Sequence, residues 1–140
     1  MYQELALTDF LLVAYRPDLR LLVGRWQRSV SEAELREGYE TMRLAARTHG
    51  CQHWLMDARR RIDRCLNGPE WVVTQFLPRL QREMGGLLCV AFLVLPNHLR
   101  EIEADPSTAE KVPDSHDLFH YARFIDEGVA NAWLDEKLGH

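Results

Sequence analysis

Leu87 to Leu95 runs for nine residues without a polar side chain, between Gly85-Gly86 and Pro96. The run is far too short to cross a bilayer, which takes about 20 apolar residues in a helix. Bounded by a glycine pair and a proline, it reads as a strand. With no polar side to turn to water, it has the signature of a central parallel strand with helices packed over both faces. Trp54-Leu55-Met56 repeats the pattern in shorter form. Two such segments commit the chain to an α/β architecture, and 140 residues suit a single domain spanning 1–140 with a real core.

Upstream, Phe10–Tyr15 and Leu19–Trp26 are mostly apolar runs joined by Arg16-Pro17-Asp18. Pro17 presets the backbone for a turn, and Asp18 can bond its own main chain. So short a connection forces an antiparallel pair, so the chain is expected to open with a β-hairpin. Ser31-Glu32-Ala33-Glu34 is a capping box. Leu35, Tyr39, Met42 and Ala46 follow on one helical face, and Gly50 supplies the stop. The stretch His53-Trp54-Leu55-Met56-Asp57 then reads as a buried strand surfacing at a carboxylate and running into Arg59-Arg60-Arg61.

Asn67-Gly68-Pro69-Glu70 opens a helix whose apolar face carries Trp71, Val72, Phe76, Leu77 and Leu80. Pro78 lacks a donor and clashes one turn back, so the helix should kink or divide there before closing at Gly85-Gly86. After the central strand, Asn97 can cap a short helix through Glu103. Asp105–Asp117 has the composition of a surface loop. Phe119–Ile125 reads as a last strand, and Asp126 caps a helix with Val129, Ala130, Trp133 and Leu134 inward. The predicted order is β-β-α-β-α-β-α-β-α, a mixed sheet with no linker or internal repeat.

The composition, 46% hydrophobic and 27% charged, is that of an ordinary soluble domain. A formal net charge of -4 argues against general affinity for nucleic acid or anionic membranes. The N-terminus lacks the pattern of a signal peptide. Cys51, Cys65 and Cys89 have no CxxC spacing, so reduced thiols in a bacterial-type cytoplasm are expected.

Several segments carry a family likeness. Leu22-Val23-Gly24-Arg25-Trp26, Val30-Ser31-Glu32-Ala33-Glu34-Leu35 and Trp54-Leu55-Met56-Asp57-Ala58-Arg59 are three. Pro69-Glu70-Trp71, Phe76-Leu77-Pro78 and Phe124 with Ala130-Asn131-Ala132-Trp133-Leu134 are the others. With the element order, these resemble STAS-like (SpoIIAA-like) domains, named for sulfate transporters and anti-sigma-factor antagonists, and in particular small stand-alone bacterial proteins of that type. The resemblance implies a βα superhelical sheet and a regulatory or protein-binding role. Two departures stand out. The phosphorylatable serine that follows an aspartate in the antagonists is here Ala58 after Asp57, and a glycine expected two residues after Trp26 is Arg28.

Asp57 sits near the carboxyl end of a buried strand, the edge where open α/β sheets place ligand sites. Arg59, Arg60 and Arg61 could grip a phosphate or carboxylate by paired hydrogen bonds. The simpler reading is that Asp57 caps the turn or pairs with one arginine while the others stay solvated. A response-regulator receiver would need an acidic pair after its first strand to hold Mg²⁺, and Arg16-Pro17 stands there instead. His49, Cys51 and His53 alternate, and His116 and His120 are four apart, but neither set has the surroundings of a metal site. No motif of nucleotide binding or nucleophilic catalysis is present. Trp26, Trp54, Trp71 and Trp133 fall at core-facing positions, while Trp71, Phe76 and Pro78, if partly exposed, would form a partner groove.

The expectation is thus a non-enzymatic regulatory or protein-interaction module without cofactor or metal. Its partner would be another protein or a second copy of itself, not nucleic acid or membrane. The alternative is a domain that binds a small anionic or lipid-like ligand at Asp57.

Overall fold

Six strands form one mixed sheet whose spatial order follows chain order: β1 (Gln3–Leu7), β2 (Leu11–Arg16), β3 (Leu21–Trp26), β4 (His53–Asp57), β5 (Leu88–Leu93) and β6 (Phe119–Phe124). The computed structural model describes residues 3–60, 71–96 and 119–137. β2 is antiparallel to both of its neighbours, β1 and β3, and β3 to β6 run parallel. The α/β class expected from the sequence is therefore present, with the parallel half centred on β4 and β5.

One correction concerns the start of the chain. It opens with a three-stranded meander rather than a hairpin, because β1 adds to the free edge of β2. Gln3-Glu4-Leu5-Ala6-Leu7 has no apolar alternation long enough to announce a strand, and its register slips between Glu4 and Ala6. Pairing with β2, not local propensity, makes it a strand. The turn after β2 lies where Pro17 places it. Leu19 N–H donates to Arg16 O at 3.2 Å, and Arg20 takes a positive φ of 51° to re-enter the sheet.

α1 (Glu32–His49) begins at the expected capping box: Glu34 N–H donates to Ser31 Oγ at 3.1 Å, and Ser31 N–H to Glu34 Oε1 at 3.0 Å. Arg28 anchors the box by donating to Glu34 Oε2 at 2.8 Å and to Asp9 at 3.0 Å. Gly50 ends the helix in the left-handed region. Leu35, Tyr39, Met42 and Ala46 are all buried, as their spacing requires. Gly38 joins them because Trp26 lies against it; a Cβ there would sit 2.5 Å from the indole Cη2.

The proline-bearing helix is in two pieces. Val72–Phe76 is a π-helical turn and α2 (Leu77–Met84) follows, with Pro78 in the first turn of α2, where its missing N–H costs least. Leu77 N–H reaches back to Val72 O, the wider bond that accommodates the ring. The expected helix opening at Asn67–Glu70, the short helix Asn97–Glu103, the loop Asp105–Asp117 and Cys65 lie outside the described residues.

α1, the π turn and α2 cover one face of the sheet over Leu22, Trp54, Met56, Leu88 and Val90. α3 (Glu127–Lys137) covers the other over Val23, Leu55, Cys89, Ala91 and Leu93. This alternation along β3, β4 and β5 explains why both sides of those strands are apolar over most of their length. Within α3, Ala130 and Leu134 are buried and Trp133 is half-buried, but Val129 is 54% exposed. The expectation that Val129 faces inward is thus corrected: one turn of a helix on a flat sheet seats two adjacent contacts, and Ala130 takes that place. Asp126 caps α3 through its bond from Gly128 N–H.

Candidate functional site

Alternation decides where the strand-end charges point. Along β4, Trp54 and Met56 face α1, so Leu55 and Asp57 face α3. Along β3, Leu22 and Trp26 face α1, so Arg25 faces α3 beside Asp57, its register partner. The first residue of α3 is Glu127, which arrives above them from the opposite end of the chain.

Together with Arg59 these residues form a network in which, among the described residues, two cations meet two anions. Arg25 Nη1 donates to Asp57 Oδ2 at 2.9 Å and to Glu127 Oε1 at 2.8 Å, and Arg25 Nη2 to Glu127 Oε2 at 3.1 Å. Arg59 holds Asp57 through both side-chain edges, Nε to Oδ1 at 3.0 Å and Nη2 to Oδ2 at 2.9 Å, and through its own N–H at 3.1 Å. Arg59 Nη2 also lies 3.5 Å from Glu127 Oε1. Burial by itself would raise the Asp57 carboxyl, but the bonds from Arg59 and Arg25 outweigh it and hold the group below the usual carboxylate range. The bonds from Arg25 likewise lower Glu127.

Of the residues expected at an anion site, the structure therefore brings Asp57 and Arg59 together, but as partners of each other. Arg60 is exposed and donates to Gln27 Oε1 at 2.9 Å. Arg61 lies outside the described residues. Sequence reasoning missed Arg25 and Glu127. The signal for Arg25 was present: a lone cation inside the run Leu21–Trp26 needs a counter-charge on a neighbouring strand end.

A second feature lies on the opposite face. A cleft of about 340 Å³ opens between α1 and α2, with Arg36, Glu40 and Arg43 on one side and Trp71, Phe76 and Leu80 on the other. Arg79 and Glu83 also line it. Of the expected groove residues, Phe76 is buried and packs on Tyr39, with ring centroids 5.1 Å apart. Trp71 is half-buried, 5.3 Å from Phe76, with the Arg36 guanidinium 4.8 Å above its ring. Pro78 is half-buried and is not part of the lining. Both carboxylates of the cleft are engaged: Arg43 bonds Glu40 and donates to Glu83 Oε1 at 2.8 Å.

The alternating His49, Cys51 and His53 do not converge. His49 stacks on Tyr15 at 4.5 Å, and the Cys51 thiol donates to the carbonyls of Arg20 and His53. Burial pushes the His53 imidazole down from its usual value. Among the described residues, no three His, Cys, Asp or Glu side chains gather as a metal would need, and no helix is long and apolar enough to cross a membrane. His116 lies outside the described residues.

Compared with protein-family models, curated proteins and solved structures, the chain matches none. What fold and site define directly is an α/β protein with a six-stranded mixed sheet and a cluster of paired charges, Arg25, Asp57, Arg59 and Glu127, at the carboxyl end of its parallel strands.

Proposed function

We propose that this chain is a non-enzymatic regulatory or protein-interaction module of the STAS-like type, working without the phosphorylatable serine. The observation that carries the reading is the state of Asp57. At the sheet edge where such folds place their chemistry, both of its oxygens are taken by Arg25 and Arg59, and the next side chain is the methyl of Ala58. A carboxylate so engaged offers neither a free base nor a nucleophile. The small-anion alternative draws less support from the same cluster, since the charges of Arg25 and Arg59 are balanced by Asp57 and Glu127. Recognition then falls to a surface, and the α1–α2 cleft combines a half-buried tryptophan with arginines, the residue types that dominate protein interfaces.

A photo-crosslinking amino acid at the exposed Gln75, with a control at the exposed Val129 on the other face, tests this in cells that make the protein. The expected result is one discrete protein adduct from position 75, absent from position 129. No adduct from position 75, together with saturable shifts at the Arg59 and Arg60 amides on adding millimolar phosphate, would replace the reading with the ligand-binding one.

A further inference from the structure

We infer that the α1–α2 cleft takes an acidic protein segment carrying one large apolar side chain. This rests on the reading of the chain as a protein-interaction module and names the chemistry of its partner. Three observations converge on it.

The floor is apolar. Phe76 and Leu80 are buried beneath the cleft, and Trp71 keeps part of its ring open to it. An apolar anchor on the partner would remove the open part of the Trp71 ring from water.

The rim is positive where it is free. Glu40 and Glu83 are both bonded by Arg43, and Arg47, 3.3 Å from Glu83, supplies the second cation that balances the pair. Arg79 makes no hydrogen bond or ion pair among the described residues, and Arg36 is held only by an exposed bond to Glu32 at 3.1 Å while lying flat on Trp71. Exposed pairs of that kind exchange readily for a better partner. In a chain whose net charge is -4, the three arginines of the lining against its two glutamates form a local surplus of the opposite sign beside an aromatic floor.

The arrangement also selects against a continuous polyanion. Glu40 and Glu83 line the same cleft and would repel a chain of successive phosphodiesters, whereas a peptide can space its carboxylates to meet Arg36 and Arg79 alone.

The test is a titration of isotope-labelled protein, followed by NMR, with three peptides of equal length and the same central leucine, flanked by glutamates, lysines or glutamines. The Trp71 indole N–H, assigned through Trp71→Phe, reports occupancy. We expect saturable shifts with the glutamate peptide alone, weakening as salt rises. Arg79→Ala should loosen binding about two- to fivefold, and Arg36→Glu with Arg79→Glu should transfer the preference to the lysine peptide. Equal or tighter binding of the lysine or glutamine peptide to the unaltered protein overturns the acidic assignment but leaves the cleft as a protein site. No shift with any peptide at millimolar concentration overturns the inference outright. The module reading is judged separately, by the adduct at position 75.

Discussion

Arg25 is the residue on which the strand-end network turns. Among the described residues it is the one that hydrogen-bonds carboxylates of both β4 and α3, whereas the hydrogen bonds from Arg59 go to Asp57 and its approach to Glu127 is a longer 3.5 Å. Deleting Arg25 leaves Asp57 and Glu127 facing each other with one cation between them. Deleting Arg59 leaves each carboxylate still bonded to Arg25. Because the cluster is only partly exposed, with Asp57 at 11% and Arg25 at 23% side-chain exposure, the loss is closer to that of a buried pair than of a surface one. Arg25→Ala should therefore cost about 2–3 kcal/mol and Arg59→Ala about 1 kcal/mol, read from urea unfolding midpoints. Equal costs would refute the asymmetry. Asp57 was legible in the sequence as the charge ending a buried strand; its partner on β3 was not, because the register that sets Arg25 opposite Asp57 belongs to the sheet.

At the scale of elements, α1 shows how far local sequence reaches. Its start at Ser31, its stop at Gly50 and its buried stripe all follow from residues within the helix. Its closeness to the sheet does not. Gly38 lets the helix settle onto Trp26 of β3, and Gly24, across the same interface, leaves room for the sulfurs of Met42 and Met56. In an isolated helix Gly38→Ala would gain about 1 kcal/mol. Here the added methyl meets the indole at 2.5 Å, and the overpacking should produce a net loss of about 1–2 kcal/mol with a shifted near-UV tryptophan signal. A stabilised variant would show that α1 is not held that close. The division of the next helix was likewise legible from Pro78 alone, whereas the π turn that absorbs it was not, since Thr74 and Gln75 give no local sign of a wider turn.

For the whole molecule, the two faces predict a two-stage response to acid. His53 opens β4 on the α3 side, and burial lowers its pKa from 6.5. A histidine with a depressed folded pKa contributes stability above 6.5 that is lost as pH falls through the folded value. The second stage belongs to carboxylates. Asp57 and Glu127 are lowered as described, and the bond from Arg28 is the main cause holding Glu34 at about 2, down from 4.5. Their contribution is complete above about pH 4.5 and disappears below it. Unfolding free energy measured from pH 8 to pH 3 should therefore decline in two steps, the first abolished by His53→Phe and the second reduced by Asp57→Asn. A single step unaffected by either variant would contradict the assignment. The sequence by itself determined the α/β class, the ends and inner face of α1, the break at Pro78 and the central place of Leu87–Leu95, because spacing, caps and proline act within a few residues. Only the tertiary structure decided that β1 joins the sheet, that Val129 faces water and that Asp57 is spent on Arg25 and Arg59, because each depends on which segment distant in the chain arrives beside it.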